Sequence, residues 1–459
     1  MDSPPPPADP RAALEVARSH FASGATRALE ARRDALIRLR GGLEAMEGEV
    51  LAALEQDLGK SAFDGWTSEL LLVRQEIALA LKRLPRWAAP SRVPVRWFHR
   101  PGRAALSLEP RGAVLVIGPW NYPVQLLLVP LVSALAAGNT VVLKPSEMAP
   151  ATAAVLARLL HATLAPPLVQ VLQGGPEVSQ ALTELPFDHL FFTGSSAVGR
   201  RVAVAAARNL VSTTLELGGV NPCIVDETAD PAVTARRIAW GKFLNAGQTC
   251  LAPNHVLVHE SRYGPLVEAL RKTLTDFYGA DGRGLQRVVN ARHFARIEAM
   301  LDQGRAAHGG GADAQALHVQ PTLLVDPVPG ATVLRDEIFG PILPILPWRD
   351  RDAMLSGVVA LPAPLALYVH SRDRGFVQWV AARTRSGGFC VNDHVVQATV
   401  PELPFGGVGA SGQGRYHGRA GFEAFSNARG RFHQPAWADL PMRYPPHRTP
   451  LSLIKRMMG

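Results

Sequence analysis

The chain has 459 residues, 47% of them hydrophobic and 19% charged, a globular composition too long for one core of ordinary size. Its formal charge of +9 rests on arginines scattered along the chain, with only six lysines, so no basic stripe interleaved with aromatics points to nucleic acid. The three cysteines, at 223, 250 and 390, form no CxxC pair, so neither a disulfide framework nor a zinc site is expected and a reducing, cytoplasmic setting follows.

Met1 to Pro10, with prolines at 4 to 7, is expected to stay unpacked. Residues 11–85 read as helices, because Leu14, Ala17 and Phe21, and then Leu36, Leu39, Leu43 and Met46, recur at helical spacing. Arg86 to Pro110 mixes Pro90, Pro94 and Pro101 with Val93, Val95, Trp97 and Phe98, which suits an extended arm. From Gly112 to Leu217 short apolar runs (113–117, 140–143, 169–172, 189–192, 213–217) alternate with helical stretches near 124–137, 150–163, 176–184 and 196–209. That alternation predicts an α/β unit with a doubly wound parallel sheet, a design that binds nucleotides beyond its strand ends. The most apolar stretch, Val124 to Ala137, carries Gln125, Pro130 and Ser133 and is shorter than the ~18 residues a membrane span needs. A second alternating region runs from Pro222 to about Asn392, and the segment after Thr399 reads as loop and edge strand. Leu451 to Gly459 reads as a surface helix end rather than a membrane contact.

The chemistry concentrates in a few runs. Cys250 ends Gly247-Gln248-Thr249-Cys250 among small and polar neighbours, unlike Cys223 and Cys390, whose apolar settings mark inert core thiols. A thiol needs a helix N-terminus, a cation or a cofactor's positive ring to ionise near neutrality, and the sequence does not choose among these. Glu216, in Leu215-Glu216-Leu217-Gly218-Gly219, is a possible base. Asn121, in Gly118-Pro119-Trp120-Asn121-Tyr122-Pro123, is either a turn residue or an uncharged donor for an oxyanion. Thr193-Gly194-Ser195-Ser196-Ala197-Val198-Gly199 opens a helix after a strand, as a serine-capped turn or as a cradle for phosphate. Lys144 and Glu147, at a strand's C-terminal edge, form a solvated pair or reach ribose hydroxyls.

Taken together, GPWNYP (118–123), LKPSE (143–147), FFTGSSAVG (191–199), LELGG (215–219), GQTC (247–250) and EIFGPILP (337–344) resemble the aldehyde dehydrogenase superfamily in order and spacing. LPFGGVGASGQGRYHG (403–418), FEAFS (422–426) and YPP (444–446) resemble its class 3 branch, the fatty and aromatic aldehyde dehydrogenases. The resemblance implies NAD or NADP as cofactor, a small-molecule aldehyde as substrate and a homodimer. It implies Cys250 as nucleophile, Asn121 and the Cys250 N–H as oxyanion donors, and Glu216 as the base that activates water. It places Lys144 and Glu147 at the adenosine ribose, Gly194, Ser195 and Gly199 at the pyrophosphate, and Glu337 with Phe339 at the nicotinamide ribose, with Trp120, Ser146, Leu217 and Gly218 as further cofactor-binding residues; no metal is implied. Domain boundaries expected on this basis are a tail (1–10), a cofactor-binding domain (11–88 and 111–218), a catalytic domain (219–398) and a bridging arm with C-terminal tail (89–110 and 399–459). Val220, where most relatives carry lysine, and the segment Asn392 to Gln397 depart from the pattern, which puts substrate range in question. Relatives that pass the thioester to coenzyme A or phosphate usually lack the glutamate at 216, an inactive scaffold would not need Cys250, Glu216 and Asn121 together, and no cysteine-hydrolase signature is present.

Overall fold

The structure is a computed structural model that describes residues 9–458. The expected unpacked tail lies outside the described residues except for Asp9 and Pro10, which open the first helix. Asp9 caps the helix Pro10–Ala22, its carboxylate accepting the Arg11 N–H at 2.9 Å, and Pro10 stands where its missing N–H costs nothing.

Apolar strands alternate with amphipathic helices from Ala113 onward, and they assemble into a six-stranded sheet. Its order is Gly412–Gln413, Ser212–Leu217, His189–Gly194, Ala113–Ile117, Thr140–Lys144, Val169–Val171, parallel except for the two-residue edge strand. The chain winds outward in both directions from Ala113–Ile117, so the order reverses between that strand and His189–Gly194. At such a switch point the loops at the carboxyl ends diverge and leave a crevice. Strand side chains alternate between two cores. Val114, Val116, Val141, Leu143 and Phe191 pack against helices Leu29–Ala45, Glu47–Leu58, Leu71–Ala88 and Gln125–Ala137. Ala113, Leu115, Ile117 and Leu190 pack on the other face against Pro10–Ala22 and Ser196–Arg208.

A seven-stranded sheet follows, ordered Arg305–His308, Thr322–Val325, Ile342–Trp348, His255–His259, Pro222–Val225, Ala366–His370, Gly388–Val391. It is parallel apart from the edge strand Arg305–His308. A third sheet joins Ser91–Val93, Arg103–Pro110 and Ser426–His433, so the arm read as extended pairs with a strand from the far end of the chain. The arm begins later than the sequence suggests. Helix Leu71–Ala88 passes through Pro85, because the fully buried Leu84 holds that turn in the core despite the lost N–H. No helix among the described residues is long and apolar enough to cross a membrane.

Candidate active site

The cysteine loop is held in an unfavourable conformation by side chains that saturate it. Helix Pro231–Phe243 gives way to a turn in which Asn245, Ala246 and Gly247 have φ of 53°, 54° and 72°. A left-handed residue other than glycine costs roughly 1–2 kcal/mol. Offsetting that, Asn245 Nδ2 donates to the Asn121 carbonyl at 2.9 Å, while Gln248 Nε2 donates to the carbonyls of Asn245 (3.0 Å) and Arg287 (3.2 Å). Gln248 Oε1 also accepts the Val289 N–H at 2.9 Å. At Gly247 a Cβ would lie 2.3 Å from the Gly340 carbonyl, so glycine is required there on both counts. The loop delivers Cys250, partly buried, to the meeting point of two cavities.

Asn121 leaves the carboxyl end of Ala113–Ile117 at the switch point and is almost wholly buried. Its Nδ2 donates to the Gln248 carbonyl at 2.9 Å, which engages one of its two N–H groups and leaves the second for another acceptor. The Asn121 carbonyl accepts from Lys60 Nζ at 2.9 Å, and Lys60 pairs with Glu69 at 2.6 Å. Glu69 in turn accepts the N–H groups of Val124 (3.0 Å) and Gln125 (2.9 Å). Tyr122 packs its ring 4.0 Å from the Lys60 ammonium and shares a 2.7 Å hydrogen bond with Thr249, next to the thiol. Oxyanion donor and thiol are thereby fixed to one buried network.

The larger cavity encloses about 550 Å³ and brings together Trp120, Asn121, Gly194, Ser195, Glu216, Leu217, Gly218, Cys250, Glu337 and Phe339, all singled out from sequence. Lys144, Ser146, Glu147 and Gly199 are not in its wall. Lys144 ends the next strand, buried, with Nζ 2.7 Å from the Pro145 carbonyl and 3.3 Å from the Glu147 carboxylate. Ser146 Oγ accepts the Met148 N–H at 3.3 Å. A Cβ at Gly199 would fall 2.4 Å from Leu217 Cδ2, so that glycine lets the helix lie against the strand. Ser195 is the N-cap of Ser196–Arg208, and it also lines the cavity.

Four buried oxygens on this wall have no hydrogen-bond partner among the described residues: Thr193 Oγ1, Glu216 Oε1 and Oε2, and Glu337 Oε1. At Gly218 a Cβ would stand 2.0 Å from Glu337 Oε2, so the bare backbone lets that carboxylate reach the cleft. Unpaired buried acceptors are costly unless a ligand engages them, and this set fits a polyhydroxylated, dinucleotide-sized group. Burial raises Glu216 well above the usual carboxylate range against the opposing pull of Arg415, and it raises Glu337 to about 7. The Cys250 thiol is pushed up to about 12, first by burial and then by Glu337 and Glu216. Without a ligand the site therefore holds a thiol.

The second cavity, about 300 Å³, opens on the other side of Cys250 and is lined by Phe63, Leu72, Tyr122, Trp240, Val395 and Phe405 among others. Sequence reading missed Lys60, Glu69, Gln248 as an anchor, Arg296 and Arg415. Arg296 Nη2 donates to the Ile338 carbonyl at 2.6 Å and steadies the segment that carries Glu337 and Phe339. Only Gln248 had a local signal, its place beside the thiol.

Fold and site thus define a nucleotide-binding α/β protein with a thiol between its cofactor cleft and a second, apolar cavity. The model of the aldehyde dehydrogenase family matches residues 6–430. Mouse "aldehyde dehydrogenase family 3 member B3" is 43% identical over 439 residues, covering 95% of this chain and 92% of that protein. Rat "aldehyde dehydrogenase, dimeric NADP-preferring" is 43% identical over 91% of this chain and 92% of its own length. The solved substrate-bound state of Staphylococcus aureus AldH superposes with a TM-score of 0.95 at 38% identity, covering 98% and 99% of the two chains. The chain belongs to the aldehyde dehydrogenase family, and it is an NAD(P)-dependent oxidoreductase that converts aldehydes to carboxylic acids.

Proposed function

We propose that Cys250 is the nucleophile, Asn121 the oxyanion donor and Glu216 the base, acting on medium- or long-chain aliphatic or aromatic aldehydes. The observation that carries the reading is that Cys250 borders both cavities, with Asn121 and Glu216 on the cofactor side and an apolar, aromatic wall on the other. Cys250 gives up its proton to solvent, its Sγ bonds to the aldehyde carbon as the carbonyl π bond opens, and the free Asn121 N–H and the Cys250 backbone N–H hold the oxygen as it gains charge. The nicotinamide ring, when bound, supplies the acceptor for the hydride that leaves that carbon. A thioester remains on Cys250. Glu216 takes a proton from water, the resulting hydroxide adds to the thioester carbon, and the Cys250 sulfur departs as the acid forms.

Glu337 and Phe339 would hold the nicotinamide ribose, Gly194, Ser195 and Gly199 the pyrophosphate, and Lys144 and Glu147 the adenosine ribose, with Trp120, Ser146, Leu217 and Gly218 as further cofactor-binding residues and NAD or NADP accepted. The domain division at 11–88 with 111–218, 219–398, and 89–110 with 399–459 belongs to the same reading, supported by a main sheet in each part, although Gly412–Gln413 crosses over to edge the six-stranded sheet. So do a homodimer and a cytoplasmic setting, the latter suited to three free thiols. Phe432 on the third sheet and Trp437, Leu440 and Tyr444 in the segment that follows it are exposed apolar side chains of the kind a second copy covers.

Glu216→Gln tests the mechanism. The variant is expected to release one equivalent of reduced cofactor in a burst and then stall, with an acyl mass trapped on Cys250. Full steady-state turnover would assign the base elsewhere, and loss of the burst would remove the thioester.

A further inference from the structure

We propose that Cys223, His370 and His394 form a buried binding site for a thiophilic cation, Cu⁺ or Zn²⁺, in the core of the seven-stranded sheet. No spacing motif joins these residues, which is why sequence reading assigned no metal and treated Cys223 as filler. Folding brings one ligand atom of each to within 4.8 Å of the others. His370 Nε2 and His394 Nε2 are 2.9 Å apart, and Cys223 Sγ is 3.7 Å from His394 Nε2.

Three separate elements supply the donors. Cys223 lies on Pro222–Val225 and His370 on the neighbouring strand, opposite Val225, while His394 follows the strand Gly388–Val391. His394 fits there because position 241 is glycine, where a Cβ would stand 2.3 Å from that of His394. All three side chains are at most 1% exposed.

The dimensions suit a cation. Metal–nitrogen bonds of ~2.0–2.1 Å and metal–sulfur bonds of ~2.3 Å at tetrahedral angles separate nitrogens by roughly 3.3 Å and nitrogen from sulfur by roughly 3.6 Å. The Cys223–His394 spacing of 3.7 Å already fits, and the His370–His394 spacing of 2.9 Å requires the two rings to part by a few tenths of an ångström, with Cys223 and His370 within 4.8 Å of each other. One thiolate and two imidazoles select copper or zinc over hard cations. Binding replaces the Cys223 S–H bond by a sulfur–metal bond and releases one proton. The site is coupled to the cleft, because the Tyr368 ring lies 4.2 Å from that of His394 and its hydroxyl donates to the Leu251 carbonyl at 2.7 Å. Val395, Ala398 and Thr399, just beyond His394, line the apolar cavity.

The test uses full-length protein in a Cys250→Ser background, which removes the cleft thiol as a competing ligand. Cu⁺ and Zn²⁺ are titrated in separate arms against chromophoric chelators, and Co²⁺ reports thiolate ligation by its charge-transfer band. One equivalent should bind, and His370→Phe/His394→Val should weaken it by more than ~100-fold, beyond the 10–100-fold typical of changes outside the ligand shell. Cys223→Ser should abolish the Co²⁺ band and Cys390→Ser should keep it. Which cation is retained more tightly decides between copper and zinc. Equal uptake with and without the two histidines, or no stoichiometric uptake in the folded background protein, would reduce the cluster to a hydrogen-bonded histidine pair.

Discussion

Cys250 carries an opposition between position and ionisation. The loop aims it at the cleft, yet burial and the carboxylates of Glu337 and Glu216 hold its proton on, up to about pH 12. Since only the thiolate is nucleophilic, alkylation of ligand-free protein by iodoacetamide should be slow at neutral pH and climb about tenfold per pH unit through the alkaline range. Saturation of that rate below pH 9 would show a thiol already activated. Glu216 responds to pH in the same sense. Its raised value means that the carboxylate appears only as pH rises, so hydrolysis-limited turnover should increase across a range where an ordinary glutamate is already fully ionised. Measured against pH, kcat should lose that rising limb in Glu216→Gln. At this scale the sequence was readable wherever a residue's own neighbours mark it, as the small polar run marks Cys250. Lys60 was not readable, because its meaning lies in the Asn121 carbonyl that it reaches across the fold.

Among elements, the alternation of apolar runs and helices from Ala113 to Leu217 was legible because the central strands are buried on both faces and the helices, apart from the wholly buried Gln125–Ala137, on one. Helix Leu71–Ala88 runs past the helical reading that stopped at 85, carrying Pro85 within it while Leu84 is buried in the core. What no local pattern encodes is the brace formed by Lys60 and Glu69 between the N-terminal helices and the Asn121 turn. Breaking one half of a buried ion pair leaves an uncompensated charge and costs about 3–5 kcal/mol. Lys60→Met should therefore lower the unfolding midpoint clearly, and it should reduce kcat more than it raises KM, because the Asn121 turn loses its anchor. Thermal unfolding beside initial rates would check both, and an unchanged midpoint would show that the brace contributes nothing to stability.

Over the whole molecule, the third sheet closes on residues more than 300 positions apart, with His433 opposite Arg103, so only family resemblance could anticipate that pairing. Its strand Ser426–His433 is exposed along nearly its whole length, and Trp437 beyond it is 79% exposed. Replacing Phe432 with Glu and Trp437 with Asp should convert the proposed dimer to a monomer in sedimentation velocity while the fold persists in circular dichroism. A dimer that survives both changes would place the subunit contact on another face. The two cavities that share Cys250 also set how small molecules compete. An apolar inhibitor lodged beside Phe63 and Trp240 leaves the Glu337 side free, so it should raise the apparent KM for aldehyde without displacing the dinucleotide. Chemical selectivity among members of this family can therefore be sought through one doorway while the common cofactor keeps the other.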